Sequence, residues 1–265
     1  MVFSTEQADQ LYEAGNYRGL VTQWERWKEE RGPQDLDENI LGTLVEAGVI
    51  MLRAAWAYYQ LGEFEESERL AQMLKSAATA DVPAGENARR LLAHCAERQG
   101  NLREAERRLM DVPLSRERDN LWVTVLIALH RDGEYIDARA AMLLATEAMM
   151  RVPYETTEGH IINNVAWLLH QARDQQDVQK FLSTLPGLIE SAIGIYEATG
   201  TAQHHLAGAL YRASLIFEAA NWAEGAAVVI RESIAKWEVL VASQGGEQYS
   251  EKLQGAQKQL QNLSH

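Results

Sequence analysis

Cysteine and proline are scarce in this chain of 265 residues, which has one cysteine, Cys95, and five prolines. A single thiol cannot form an internal disulfide, so the cytoplasm is the predicted location, although a periplasmic protein without disulfides would have the same composition. The first residues show no basic start followed by an apolar stretch, so no signal peptide is predicted. Seven tryptophans argue against disorder, because disordered chains are poor in aromatic residues.

Long apolar runs and positive charge are also lacking. The longest uncharged stretches, such as Leu121 to Leu129, cover about nine residues, whereas a membrane-spanning helix needs roughly 20. The 25 lysines and arginines are outnumbered by 38 aspartates and glutamates, which gives a formal net charge of -13. Duplex nucleic acid and anionic membranes both require a cationic face. We therefore expect neither of them among the partners.

Motifs of catalysis and metal binding are missing as well. The sequence has no glycine-rich phosphate loop, no nucleophile elbow and no paired-cysteine metal motif. It lacks the Glu-x-x-His pair of di-metal helical bundles. His204 and His205 are adjacent, so we expect their side chains to diverge on a helix and not to share a metal. The prediction is a protein that is not an enzyme, with no metal and no cofactor.

Apolar residues recur at spacings of three and four, which predicts helices throughout, and strand-like alternation is absent. Cys95 is flanked by Ala93 and Ala96 and is predicted to be a small core residue. Trp24 and Trp27 lie three positions apart on one helical face and are also assigned to the core.

Short turn segments punctuate these helices. Each consists of a glycine, a polar residue and a large apolar residue, and the four copies are Gly15-Asn16-Tyr17, Gly62-Glu63-Phe64, Gly100-Asn101-Leu102 and Gly133-Glu134-Tyr135. Asn221-Trp222 is a fifth, weaker copy. Glycine ends a helix in the left-handed conformation without steric penalty, and the apolar residue can anchor the next helix against the first. The spacing predicts a repeating helical hairpin.

The stretch Ala54 to Leu74 resembles a tetratricopeptide repeat, with small residues, a tyrosine pair, the glycine turn, an aromatic anchor, and small and large residues at helical spacing. Asn163 to Leu169 is similar to the first helix of another such repeat, in which Arg173-Asp174 replace the turn glycine. The second helix of that hairpin is predicted from about Gln176 to Thr199, with an interruption at Pro186.

This resemblance implies an all-α fold, a right-handed α-solenoid of about six antiparallel helix hairpins in a single domain over residues 1–265. A polar helix over 247–263 is expected to cap its end, because terminal repeats need a polar outer face. Its apolar stripe consists of Tyr249, Leu253, Ala256, Leu260 and Leu263.

In such a superhelix the first helix of each hairpin lines the concave groove. Counting back thirteen, ten, six, three and two positions from the turns at Gly62, Gly100, Gly133 and Arg173 selects a stripe rich in arginine, histidine, asparagine and tryptophan. Arginine suits anions, asparagine suits a peptide backbone and tryptophan provides an apolar anchor. The predicted ligand-binding residues are Arg90, His94, Arg98, Asn120, His130, Arg131, Asn163, Trp167 and His170. The alternative is a face that is polar through geometry alone.

The function that the resemblance implies is a scaffold or adaptor that holds a peptide segment or partner protein, preferably an acidic one, in the groove. Two alternatives stay open at this point: a regulatory sensor for a small signal or peptide, and a self-assembling structural protein that forms homo-oligomers. If the partner is acidic, the groove histidines predict stronger binding below about pH 6.5.

Overall fold

The computed structural model describes residues 3–31, 44–77, 83–243 and 246–264. Within these residues all regular elements are helices and no strand is present, so the predicted all-α class is confirmed and the fold is helical and repeat-like. The helices form two compact units, Met1–Leu114 and Ser115–His265, called unit 1 and unit 2 below. The single superhelical domain remains a prediction. Among the described helices, none combines the length and the apolar character needed to cross a lipid bilayer.

Unit 1 is built from helical hairpins. Its described helices are α1 (Thr5–Glu13), α2 (Tyr17–Arg31), α3 (Leu44–Gln60), α4 (Phe64–Ala77), α5 (Pro83–Arg98) and α6 (Leu102–Met110). Each helix packs against the next one in sequence, and the first helices of successive hairpins also contact one another, α1 against α3 and α3 against α5. First helices therefore lie side by side within this unit.

Unit 2 repeats this arrangement. Its described α-helices are α7 (Arg116–Arg131), α8 (Ala138–Met150), α9 (Thr156–Gln171), α10 (Leu185–Ala198), α11 (Gln203–Ala219), α12 (Ala223–Ala242) and α13 (Ser250–Asn262). Two 3-10 helices, Val178–Thr184 and Gly246–Tyr249, precede α10 and α13. The helix α9 packs against both α7 and α11, so first helices again lie side by side.

The turns confirm the glycine pattern of the sequence. Gly15, Gly62, Gly100 and Gly133 have positive φ angles of 70° to 78°, and Asn221 has a φ of 60°. At Gly62 the turn is closed by two backbone bonds, Gly62 N–H to the Tyr59 carbonyl at 3.0 Å and Glu63 N–H to the Tyr58 carbonyl at 2.9 Å. This is the Schellman arrangement, in which the left-handed residue satisfies the last helical carbonyls.

One turn was not predicted. Gly200 has a φ of 63° and closes the same pair of bonds between α10 and α11. The predicted interruption at Pro186 is confirmed, because a 3-10 helix ends at Thr184 and α10 begins at Leu185, with Pro186 at its second position. Proline is tolerated there because the first N–H groups of a helix have no intrahelical partner.

The core contains the residues assigned to it. Trp24 and Trp27 are 0% and 6% exposed and stack with ring centroids 5.3 Å apart. Cys95 is fully buried, and its thiol lies 3.4 Å from the Ser67 hydroxyl. Burial raises the pKa of Cys95 to about 11, which keeps it an unreactive thiol at neutral pH.

The terminal helix uses the predicted stripe. The cluster around Trp237 and Ala256 collects the partly buried side chains of the stripe, Tyr249, Leu253, Leu260 and Leu263. The regular helix begins at Ser250, and the preceding residues from Gly246 form a 3-10 turn. This packing fixes α13 beside α12, where it forms part of the site described next.

Candidate functional site

In unit 1 the predicted binding residues of α5 contact neighbouring side chains. The His94 ring lies against Trp56 and Tyr59, with centroids 5.3 Å and 5.8 Å away. Arg98 donates from Nε to the Tyr59 hydroxyl at 3.0 Å. Arg90 donates from Nη2 to Asn87 Oδ1 at 2.7 Å. His94 and Arg98 therefore lie against α3, whereas the Arg90 bond lies within α5.

The electrostatics of three histidines bear on the predicted pH dependence of binding. Burial, with the positive charges of Arg90 and Arg98 adding to it, lowers the pKa of His94 to about 4. Burial likewise lowers the pKa of His160 and His170 in unit 2. For these rings the predicted gain in binding to an acidic partner is expected at lower pH, and it stays a prediction.

In unit 2 the predicted residues lie on α7 and α9. On α7, Asn120 and Arg131 are exposed and His130 is half-buried. On α9, Asn163 and His170 are 7% and 6% exposed, so these two side chains lie deeper than a groove-facing stripe implies. The half-buried Trp167 stacks on the His170 ring at 5.4 Å.

Asn163 and Trp167 lie on the wall of a cleft of about 830 Å³ within unit 2. Helices α9, α10, α11, α12 and α13 and the 3-10 turn before α13 all contribute to its lining. This volume is in the range of roughly 300–1,000 Å³ typical of ligand pockets. A smaller cleft of about 430 Å³ lies between α1 and α2 of unit 1, where Arg26 is already paired with Glu30 at 3.0 Å.

One wall of the unit 2 cleft is a continuous row of rings, called the aromatic row. It runs through Tyr196, His160, His205, His204, Tyr249 and Trp237, with successive ring centroids 5.3, 4.5, 4.0, 6.0 and 5.5 Å apart. His204 and His205 thus lie ring against ring, because their side-chain torsions bring together rings that the helix alone would separate. Flat surfaces of this kind suit an aromatic or apolar ligand group.

Within the aromatic row, His160 is held in place by a hydrogen bond between its Nδ1 and the Tyr196 hydroxyl at 2.8 Å. Burial raises the pKa of Tyr196, so this hydroxyl keeps its proton at neutral pH. In the described residues, no group of three or more His, Cys, Asp or Glu side chains is arranged to hold a metal ion.

Arg212 of α11 also lines the cleft. Its Nη1 donates to Asn164 Oδ1 at 2.9 Å, and its guanidinium lies 5.4 Å from the centroid of the Trp167 ring. Within the described part of the chain, no carboxylate oxygen lies within 4.0 Å of this guanidinium, whereas Arg107, Arg108, Arg116 and Arg118 each have such a partner. Burial lowers the pKa of Arg212, and the nearby Arg131 lowers it further.

Two glycines open the floor of the cleft. A Cβ atom added to Gly208 of α11 or to Gly255 of α13 would meet no other atom within 4 Å, and both residues line the cleft. Glycine inside a helix costs about 1 kcal/mol relative to alanine. Side chains at these positions would extend into the open volume, so its size depends on their absence.

Sequence reasoning reached a small part of this site. The stripe of α9, counted back from Arg173, contains His160, Asn163 and Trp167, and these three residues line the cleft. The residues of α11 were missed because the same count was not applied to the turn at Asn221. Counting back thirteen and ten positions from that turn gives Gly208 and Tyr211, which both line the cleft.

No protein-family model and no curated protein matches the sequence. Among solved structures, the chain is similar to BtubC (BKLC) from P. vanneervenii, known from a crystal structure. The two chains are 14% identical and superpose with a TM-score of 0.36, over 97% of this chain and 89% of BtubC. A likeness this weak carries no argument about fold or function.

Proposed function

We propose that the protein is a non-enzymatic adaptor that holds a peptide segment of a partner protein in the unit 2 cleft. Arg212 is the observation that carries this proposal. It is a partly desolvated cation on the wall of an open cleft, and no carboxylate of the described residues pairs with it. Shielding a cation from water without a counter-charge is costly, and an anionic ligand would offset that cost.

The chain organisation that we propose for this adaptor is a right-handed solenoid of about six tetratricopeptide-like hairpins, capped by α13 and working in the cytoplasm. Support comes from the six turns that share a left-handed residue and from the first helices that lie side by side within each unit. In repeat proteins, side-by-side first helices form extended binding surfaces.

A regulatory sensor for a small signal is the second candidate, and the shape of the site favours it. The cleft has the volume of a small-molecule pocket, and α13 supplies Glu251, Lys252 and Gly255 to its wall. A ligand in contact with this terminal helix would favour one position of the helix over others.

The test of the adaptor begins with affinity capture from the native extract, followed by mass spectrometry. The captured segment is then synthesised and titrated against wild type, Arg212→Gln and the control Arg231→Gln, which removes an exposed arginine from α12. We expect binding to wild type and to the control, loss of binding with Arg212→Gln, and recovery of the peptide unchanged in mass. Equal binding to all three proteins would overturn the cleft as the site. Conversion of the peptide would overturn the non-enzymatic assignment.

A further inference from the structure

Arg212 has binding capacity that the folded chain leaves unused. A guanidinium has five N–H donors in a planar fork, and one of them bonds to Asn164 Oδ1. Within the described residues, no side-chain or backbone acceptor other than Asn164 is bonded to this guanidinium. The bond to Asn164 and the contact with Trp167 fix the plane of the fork, so little conformational entropy is lost when an anion binds.

The charges of the cleft lining match a single carboxylate. Arg212 and Lys252 contribute two positive charges and Glu251 contributes one negative charge, which leaves one net positive charge. A monoanion that makes two parallel bonds to the guanidinium balances this charge.

The aromatic row sets the rest of the ligand. Its accessible rings are those of His160, His204, His205 and Tyr249, because Tyr196 and Trp237 are only 1% and 5% exposed. An aromatic side chain would stack on the accessible rings and remove apolar surface from water. Gly208 and Gly255 leave open volume for it within the cleft.

We infer that the cleft recognises a carboxylate, held by the fork of Arg212, next to an aromatic side chain that lies on the aromatic row. This ligand class rests on the proposed function, since it specifies the peptide that the adaptor binds. The carboxylate has two sources in a peptide, an aspartate or glutamate side chain and the free C-terminus, and both present the same two oxygens.

The experiment uses an array of acetylated, C-terminally amidated heptapeptides in which the two central residues cover all pairs of amino acids. A second array leaves the C-terminus free, and a third contains phosphotyrosine. Each array is probed with the full-length wild type, Arg212→Gln, the control Arg231→Gln and Gly208→Leu, and the best peptides are titrated in solution. Because a Cβ at Gly208 meets open space, Gly208→Leu is expected to fold and to fill the cleft; thermal melts check each variant.

We expect wild type and Arg231→Gln to select acidic–aromatic pairs, or aromatic residues at a free C-terminus if the chain end supplies the carboxylate. Replacing the carboxylate by an amide, or using Arg212→Gln, should weaken binding about tenfold or more. Gly208→Leu should bind neither the acidic–aromatic peptides nor the peptides with an aromatic residue at a free C-terminus.

Three results overturn the inference. Selection of pairs without a carboxylate, selection that persists in Arg212→Gln, and a preference for phosphotyrosine each contradict it while leaving a peptide-binding adaptor in place. Peptides that bind wild type and Gly208→Leu equally move the site away from the cleft. If no peptide on any array and no captured segment binds, the adaptor function itself fails.

Discussion

The two units carry similar residues on their first helices, but these residues contact one another closely in unit 1 and border an open cleft in unit 2. In unit 1, His94 packs on Trp56 and Tyr59, and Arg98 bonds to the Tyr59 hydroxyl, so the polar groups satisfy one another. In unit 2, Arg212 contacts Trp167 and Asn164 beside an open cleft, and no carboxylate among the described residues pairs with it. Arginine, histidine and aromatic residues on a first helix are therefore not sufficient for a site. The difference lies in whether small residues such as Gly208 leave room beside them.

Charge pairing gives the largest expected contrast, because Arg116, Arg118 and Arg151 of unit 2 are paired with carboxylates, whereas Arg212 has no carboxylate partner among the described residues. Asp119 is fully buried and bonds to Arg118 and Arg151. Asp119→Asn should lower the free energy of unfolding by about 3–5 kcal/mol, since it leaves the buried Arg118 without its nearest counter-charge. Urea denaturation measures this, with Glu232→Gln as the control. Glu232 pairs with Lys236 at 3.6 Å on the surface, so its loss should cost less than about 1 kcal/mol. Similar losses in both variants would remove the contrast.

Acid should act on unit 1 through His94. Because the folded-state pKa of His94 is lowered to about 4, the unfolded chain binds the proton first as the pH falls below about 6.5. Stability should fall by about 2–3 kcal/mol between pH 6.5 and 4, and His94→Gln should lack this component. Denaturation at several pH values compares the two proteins. The same pH dependence in both would show that His94 does not titrate as its burial requires.

Replacement of glycine by alanine should change the stability of the protein in opposite directions at two positions of unit 2. A Cβ at Gly159 of α9 would lie 2.6 Å from the buried ring of Tyr196, so Gly159→Ala should destabilise by about 1–3 kcal/mol. Gly208→Ala meets open space and should stabilise by about 1 kcal/mol through helix propensity. Melting temperatures of the two variants measure both effects. A loss of stability in Gly208→Ala would mean that the floor of the cleft is occupied.

The smallest effect is expected at Arg98. Its side chain is 62% exposed, and its bond to Tyr59 lies at the surface, so Arg98→Gln should change stability by less than about 0.5 kcal/mol. It should also leave binding of the acidic–aromatic peptides unchanged, in contrast to Arg212→Gln. The same titrations measure it. A loss of binding in Arg98→Gln would show that unit 1 contributes to the ligand site after all.

The sequence could predict the turns because their cause is local. A glycine at the end of a helix followed by a polar and an apolar residue predicted four left-handed turns, whereas Gly200 was hidden because Thr201 and Ala202 follow it without a large apolar anchor. The helical class and the burial of Trp24 and Trp27 follow from periodicity in the same way. These features depend on neighbours within a few positions.

The candidate site could be predicted only in part, since it depends on helices distant in sequence. Trp167 was found from its place on α9, but its partner Arg212 lies on another helix, and no local pattern links the two. His204 and His205 were considered only as metal ligands, although the structure uses their rings as a surface. Which cations remain unpaired is a property of tertiary packing, and a single sequence does not show it.

Because α13 forms part of the cleft wall, local unfolding of α13 should report whether the cleft is occupied. This helix packs on α12 and on the 3-10 turn before it, and Gln259 donates a hydrogen bond to Glu218 of α11 at 2.7 Å. When α13 detaches, the cleft loses the wall formed by Glu251, Lys252 and Gly255. A ligand that binds only while α13 is in place would oppose its detachment by mass action, by about 2.7 kcal/mol at a concentration one hundred times its Kd. Amide hydrogens of α13 would then exchange about a hundredfold more slowly, and occupancy could be measured at the helix rather than at the ligand.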